Sequence, residues 1–180
     1  MMRRVPHVAA LCSLIVMVAC RGADRALPPL DSASMVLPLW DAATVMLVKG
    51  TGELRDASGL RVAEAGLTDW RAVGDFDANG SEEAVVVAWS SGGGSGVFVE
   101  LALFGLERGG WMSDDVWRWR ASAPLGDRVR VRALTVDGDV VEVHLTRHAP
   151  DDPACCPTQE DRLGFRVEGG GLEERGPRGS

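Results

Sequence analysis

The sequence predicts a mainly β protein, with antiparallel strands in a single sandwich or open-barrel-like domain and few or no helices. Three observations lead there. From Trp40 onward apolar residues recur at every second position, and no long stretch sustains a 3.6-residue period. Glycine and Asx residues punctuate the chain between these runs, and 22 of the 180 residues are glycine. The 46% hydrophobic content suits a buried core and excludes a disordered chain.

The chain opens with a different pattern. Arg3 and Arg4 precede an almost unbroken apolar run over residues 8–19, which ends in Met17-Val18-Ala19-Cys20. A run of about a dozen residues is shorter than the roughly 20 needed to span a bilayer, so an export signal over residues 1–19 is expected. The end of the run resembles a bacterial lipobox, where a cysteine after a small residue is lipidated, and this assigns Cys20 as the acylated residue. An ordinary signal peptide cleaved after a small residue is the alternative. Residues 20–38 then read as the lipidated cysteine and a flexible tether, because Pro28-Pro29, Pro38 and small polar residues give no sustained period. The β-rich domain is placed at residues 39–174, with a disordered tail at 175–180. Removal of residues 1–19 takes two arginines and no acid, so the mature chain is more acidic than the full one.

Within the domain, residues 44–48 (TVMLV) and 53–56 flank a Lys49-Gly50-Thr51-Gly52 turn. Residues 60–72 are ambiguous, with a strand favoured over 68–73. Residues 84–89 (AVVVAW) are apolar on both faces, as a central strand requires, and 97–104 (VFVELALF) are similar. Gly92 to Gly94 mark the hairpin tip between them. Residues 117–120 alternate tryptophan with arginine. Val129, Val131 and Ala133 share one face of a strand that pairs with residues 140–146 across Asp137-Gly138, a strong hairpin signal.

The clearest candidate site is GDFDANGSEE, residues 74–83. Asp75, Asp77 and Asn79 fall at positions one, three and five of a loop, Gly80 at six, Ser81 at seven and Glu83 at nine. Alternating oxygens across a tight turn suit one hard cation, with calcium the candidate. An EF-hand is excluded because Val86 occupies position twelve and both flanks read as strands. The arrangement is similar to the strand–loop–strand calcium sites of FG-GAP and VCBS repeats, in which the ninth residue closes the site. A plain Asn79-Gly80 hairpin with solvated acids is the alternative reading.

Cys155 and Cys156 stand side by side in APDDPACCPTQ, and neither Cys12 nor Cys20 is a free partner for them. Adjacent Cα atoms lie about 3.8 Å apart, closer than in an ordinary disulfide, so a bridge between them would be strained. A structural loop is the first reading. A thiol redox pair, an intermolecular bridge, or a metal site with His148, Asp151 or Asp152 remain alternatives. His144 and His148 would lie about 13 Å apart on a strand and cannot chelate together there. Trp117 and Trp119 share a strand face, so they are either core residues, the favoured reading, or rings that stack on a polysaccharide.

A net charge of −7 with Lys49 as the only lysine excludes a nucleic-acid footprint. P-loop, dinucleotide, nucleophile-elbow and H-E-x-x-H motifs are absent from the sequence. No nucleophile–base constellation assembles from local motifs, so a non-catalytic module is expected. Taken in order, GDFDANGSEEAVVV, GGSGVFVELALF, LGDRVRV and HAPDDPACCPTQ resemble a set of uncharacterised bacterial lipoproteins. The likeness covers residues 70–159 and implies a location and a fold but no activity. Together with the expected lipid on Cys20 it implies the periplasmic or cell-surface face of a bacterial membrane; the partner expected there, a protein or a polysaccharide, is not identified by the sequence.

Overall fold

A computed structural model describes residues 27–176, so the expected signal, Cys20 and the last four residues lie outside the described part. A 3-10 turn, Leu30–Ser32, precedes eleven strands: β1 Ser34–Leu37, β2 Ala43–Met46, β3 Thr51–Arg55, β4 Arg61–Gly74, β5 Glu83–Ser91, β6 Phe98–Glu107, β7 Val116–Asp127, β8 Arg130–Asp137, β9 Val140–Arg147, β10 Gln159–Glu168 and β11 Gly171–Arg175. The first seven form one sheet in the order β2-β1-β7-β6-β5-β4-β3, and the last four a second sheet in the order β11-β10-β9-β8. The larger sheet curls into a nearly closed barrel. Its edge strands meet where Val48 donates its N–H to the Thr51 carbonyl at 2.7 Å. Among the described residues no helix is long and apolar enough to cross a membrane.

The mainly β expectation holds, with one addition to the antiparallel pattern: β1 lies parallel to β7, Ser34 opposite Arg118. The expected tether boundary at residue 38 is too late. Met35 and Leu37 are fully buried in the barrel, and Leu30 and Ala33 join the same core. The small polar residues that read as linker are the turn itself, where the Ser32 hydroxyl donates to the Pro29 carbonyl. At the other terminus Arg175 closes β11 and so belongs to the sheet rather than to a tail.

β5 and β6 are buried on both faces because they separate two cores. Ala84, Val86, Ala88, Ala102 and Phe104 point into the barrel. Val85, Val87, Leu101 and Leu103 pack against Val141, Val143, Leu145, Phe165 and Val167 of the second sheet. Period-two alternation therefore supplies apolar residues to both sides at once. β4 spans all but the first residue of the ambiguous stretch and is interrupted between Leu67 and Arg71, where the Thr68 hydroxyl donates to the Val87 carbonyl.

The Asp137-Gly138 hairpin is present, with Asp137 opposite Val140. The face assignment of the preceding strand changes part-way. A bulge between Val131 and Ala133 shifts the phase, so Leu134 and Val136 join Val129 and Val131 in the core, and Ala133 does not.

Strand directions give the barrel two distinct ends. The entry end carries the 3-10 turn, the β4–β5 loop and the β6–β7 loop. The far end carries the β1–β2 turn, the glycine-rich β5–β6 loop and the crossing from β7 to the second sheet.

Candidate functional site

The acidic loop follows from the register that ends β4 and begins β5. Gly74 pairs with Glu83, so residues 75–82 close a hairpin at the entry end. Left-handed backbone at Ala78 and Gly80 turns the chain, and at Gly80 (φ +88°) glycine carries that conformation without a steric cost. The side chains of the loop then hold its own backbone. Asp75 Oδ2 accepts the Gly80 N–H at 3.0 Å, Asp77 Oδ1 accepts the Asn79 N–H at 3.2 Å, and Asn79 Oδ1 accepts the Ser81 N–H at 2.8 Å.

Glu83 differs from the other acids in being buried, with 4% exposure. Its Oε2 accepts the Phe76 N–H at 2.9 Å. Carboxylate oxygens of Asp75, Asp77 and Glu83 lie within 4.8 Å of one another. Burial raises the Glu83 pKa, the Phe76 N–H opposes that rise, and the nearby Asp77 and Asp75 charges add to it. Each carboxylate has about four lone-pair positions, so one N–H contact leaves capacity for a cation. Three converging carboxylates that repel one another are what a hard divalent ion relieves. The residues present thus fit calcium. The three carboxylates among the five expected side chains are thus brought together, while Asn79 and Ser81 are exposed on the same loop, with Asn79 Oδ1 accepting the Ser81 N–H.

A second cluster braces this loop. Arg108 places one guanidinium nitrogen 2.7 Å from both Glu82 oxygens and the other 2.9 Å from Asp115 Oδ2. Buried Asp115 also accepts the Gly109 N–H at 2.8 Å. A Cβ on Gly109 would fall 2.1 Å from the Ser113 carbonyl oxygen, so only glycine fits this close approach. The clasp presents Trp111, 95% exposed, and Met112, 79% exposed, at the tip of the β6–β7 loop. The sequence reading passed over Trp111, although glycines on its N-terminal side and acids on its C-terminal side were a signal for a displayed ring.

The tryptophans considered for polysaccharide stacking are not displayed. Trp117 is 5% exposed in the barrel core, and its indole N–H donates to the Pro28 carbonyl at 2.8 Å. Trp119 packs against the same core. This corrects the glycan reading: the ring faces are used for packing, and the intervening Arg118 and Arg120 pair with Glu107 outside.

Cys155 and Cys156 are joined in a disulfide, Cα atoms 3.8 Å apart, on an exposed loop at the far end. Asp152 organises that loop by accepting the Ala149 N–H at 2.8 Å, the Thr158 N–H at 2.7 Å and the Thr158 hydroxyl at 2.8 Å. These donors hold its carboxyl below the usual range, the Ala149 N–H most of all. Its oxygens are therefore committed to the loop, which argues against the metal alternative with His148 and Asp151. Arg128, in the β7–β8 connection, and Arg130, at the start of β8, reach the Ala154 and Cys155 carbonyls.

Glu100 is the remaining buried acid and was not singled out from the sequence. A lone charge inside VFVELALF was the available signal. No family model, curated protein or solved structure matches this chain.

Proposed function

We propose that this protein is an exported lipoprotein, acylated on Cys20 and held at a bacterial membrane, whose β domain is a non-catalytic envelope module stabilised by calcium. The observation that carries the reading is the convergence of Asp75, Asp77 and buried Glu83 within 4.8 Å. A second feature gives it an orientation. The chain enters the barrel at Pro28, against Trp117, at the end that also displays Trp111 and Met112. Fully extended at ~3.3 Å per residue, the chain from Cys20 to Pro28 reaches at most roughly 25–30 Å. A tether of that reach keeps the entry end beside the bilayer, where an exposed indole is at home in the headgroup region.

The test has two parts. Full chain made in a bacterial host with labelled palmitate should carry the label and sediment with membranes, and Cys20→Ser should release it unlabelled. The same chain should melt higher in calcium than in chelator, and Asp75→Ala should remove that difference. Unlabelled wild type would end the lipoprotein reading, and a calcium-indifferent melt would end the metal reading.

The exposed Cys155–Cys156 bridge favours one second reading, a thiol redox protein. It requires that a mild dithiol reductant expose two titratable thiols in the folded chain. Thiols that titrate only after unfolding would leave the pair as a loop staple.

A further inference from the structure

At the far end the barrel interior stops being apolar. Positions 102, 104 and 106 of β6 face the barrel core as Ala102, Phe104 and Leu106. The same face continues towards the far end with Glu100, and there a cavity of about 300 Å3 opens. Leu39, Phe98 and Pro124 give it apolar walls, and Ser90, Ser122 and Glu100 give it polar groups. Barrel mouths are recurrent small-molecule sites, and this volume is at the lower end of their range.

Glu100 decides the chemistry. It is only 9% exposed, and its Oε1 is sealed from solvent without a hydrogen-bond partner. The Ser122 hydroxyl is the one side chain bonded to the carboxyl, and burial raises its pKa above the usual carboxylate range. No lysine or arginine lines the cavity, and the other acid there, Asp127, is already paired with Arg128 at 2.7 Å. For packing alone an apolar side chain of similar size would serve better than an uncompensated acid.

The opening is also apolar and held in place. Leu39 is 60% exposed and Phe98 40% exposed, and Trp40 meets Phe98 edge-on with ring centroids 6.3 Å apart. Asp41 and Ala42 are consecutive non-glycine residues in left-handed backbone, φ +52° and +54°, an uncommon conformation that fixes the turn carrying Leu39 and Trp40.

We propose that this barrel mouth binds a small organic ammonium ion, whose N–H donors pair with the Glu100 carboxylate while its apolar body rests on Phe98, Leu39 and Pro124. The ligand brings the counter-charge that the cavity lining lacks. The site lies at the end opposite the acidic loop and does not rest on the calcium reading.

The full chain is titrated in chelator with 2-phenylethylamine, 2-phenylethanol and 3-phenylpropanoate, followed by calorimetry and tryptophan fluorescence. The amine should bind one-to-one, about tenfold or more tighter than the alcohol, because a charge-assisted hydrogen bond replaces a neutral one. The anion should not bind. Glu100→Gln should bring the amine down to the level of the alcohol, while Phe98→Ala should weaken both. Three results overturn the proposal: no saturable binding of the amine, an alcohol that binds as tightly as the amine, or an amine affinity unchanged in folded Glu100→Gln protein. Far-UV circular dichroism establishes that each variant is folded. A calcium-indifferent melt leaves this outcome untouched, so the two readings fail separately.

Discussion

The two ends of the barrel treat buried carboxylates in opposite ways. At the entry end, Asp115 is buried with Arg108 at 2.9 Å and the Gly109 N–H at 2.8 Å, so its acceptors are used by the protein itself. At the far end Glu100 is similarly buried, yet Oε1 has no partner and no basic residue lines its cavity. Glu83 stands between them: it has the Phe76 N–H, but Asp77 and Asp75 crowd it with like charge. A buried acid whose donors come from the chain is part of the frame. One left short of donors or surrounded by its own sign marks a place where something else completes the set.

The comparison can be broken first at the core both ends share. Phe104 is fully buried between β5 and β7, and Phe104→Ala should cost about 3–5 kcal/mol. Denaturant unfolding should show one transition moved to lower concentration, with both sites lost together. Separate transitions for calcium binding and amine binding would mean that the ends are independent units.

Calcium is the next largest effect. For a dissociation constant of about 0.1 mM, about 1 mM calcium adds roughly 1.4 kcal/mol, a rise of about 3–6 °C at this size. Asp75→Asn should lose the rise and, in chelator, melt slightly above wild type, because one repulsive charge near Glu83 is gone. A lower melt in chelator would show that Asp75 serves the hairpin more than the ion.

Glu100 gives a pH signature at the other end. Its folded pKa lies above its unfolded value, so the folded state holds the proton more tightly. Stability is therefore full below the unfolded value of about 4.3 and is lost as pH rises through the folded pKa. Glu100→Gln removes that loss: its melting curve should coincide with wild type near pH 4 and lie above it at pH 7. The gain should be about 1 kcal/mol, the scale of an under-bonded buried polar group. Coincidence at both pH values would mean that Glu100 finds a partner in solution.

The smallest stability effect is expected at Trp111. The ring is 95% exposed, so Trp111→Ser should change stability by less than about 0.5 kcal/mol. If the entry end faces the bilayer, the same substitution should weaken association of the unacylated Cys20→Ser chain with lipid vesicles. An unchanged vesicle association would free this end from the membrane assignment.

Much of the fold was legible in residue order because it depends on local alternation and turn chemistry. AVVVAW and VFVELALF read as two-faced central strands, and β5 and β6 do divide two cores. Asp137-Gly138 named its hairpin, and the acidic loop carried its own spacing. Other features hid because they depend on partners far along the chain. β1 was masked by Pro28-Pro29 and a polar turn, and only its docking beside β7 buries Met35 and Leu37. β10 drew no strand signal, since its burial rests largely on Phe165 and Val167 meeting the first sheet. The bulge after Val131 reassigns a face that strict alternation gave to Ala133.

Sequence alone thus determined the mainly β class, the central strands, the main turns and the carboxylates of the acidic loop, since each is encoded within about ten consecutive residues. Tertiary structure decided which acids are satisfied and which are not. Whether Glu100 or Asp115 has partners depends on the strand register opposite it and on the loops that meet there. The β6–β7 hairpin brings Arg108 to Asp115, whereas closing the barrel gathers Leu39, Ser90, Ser122 and Glu100 at one mouth with no basic residue among them.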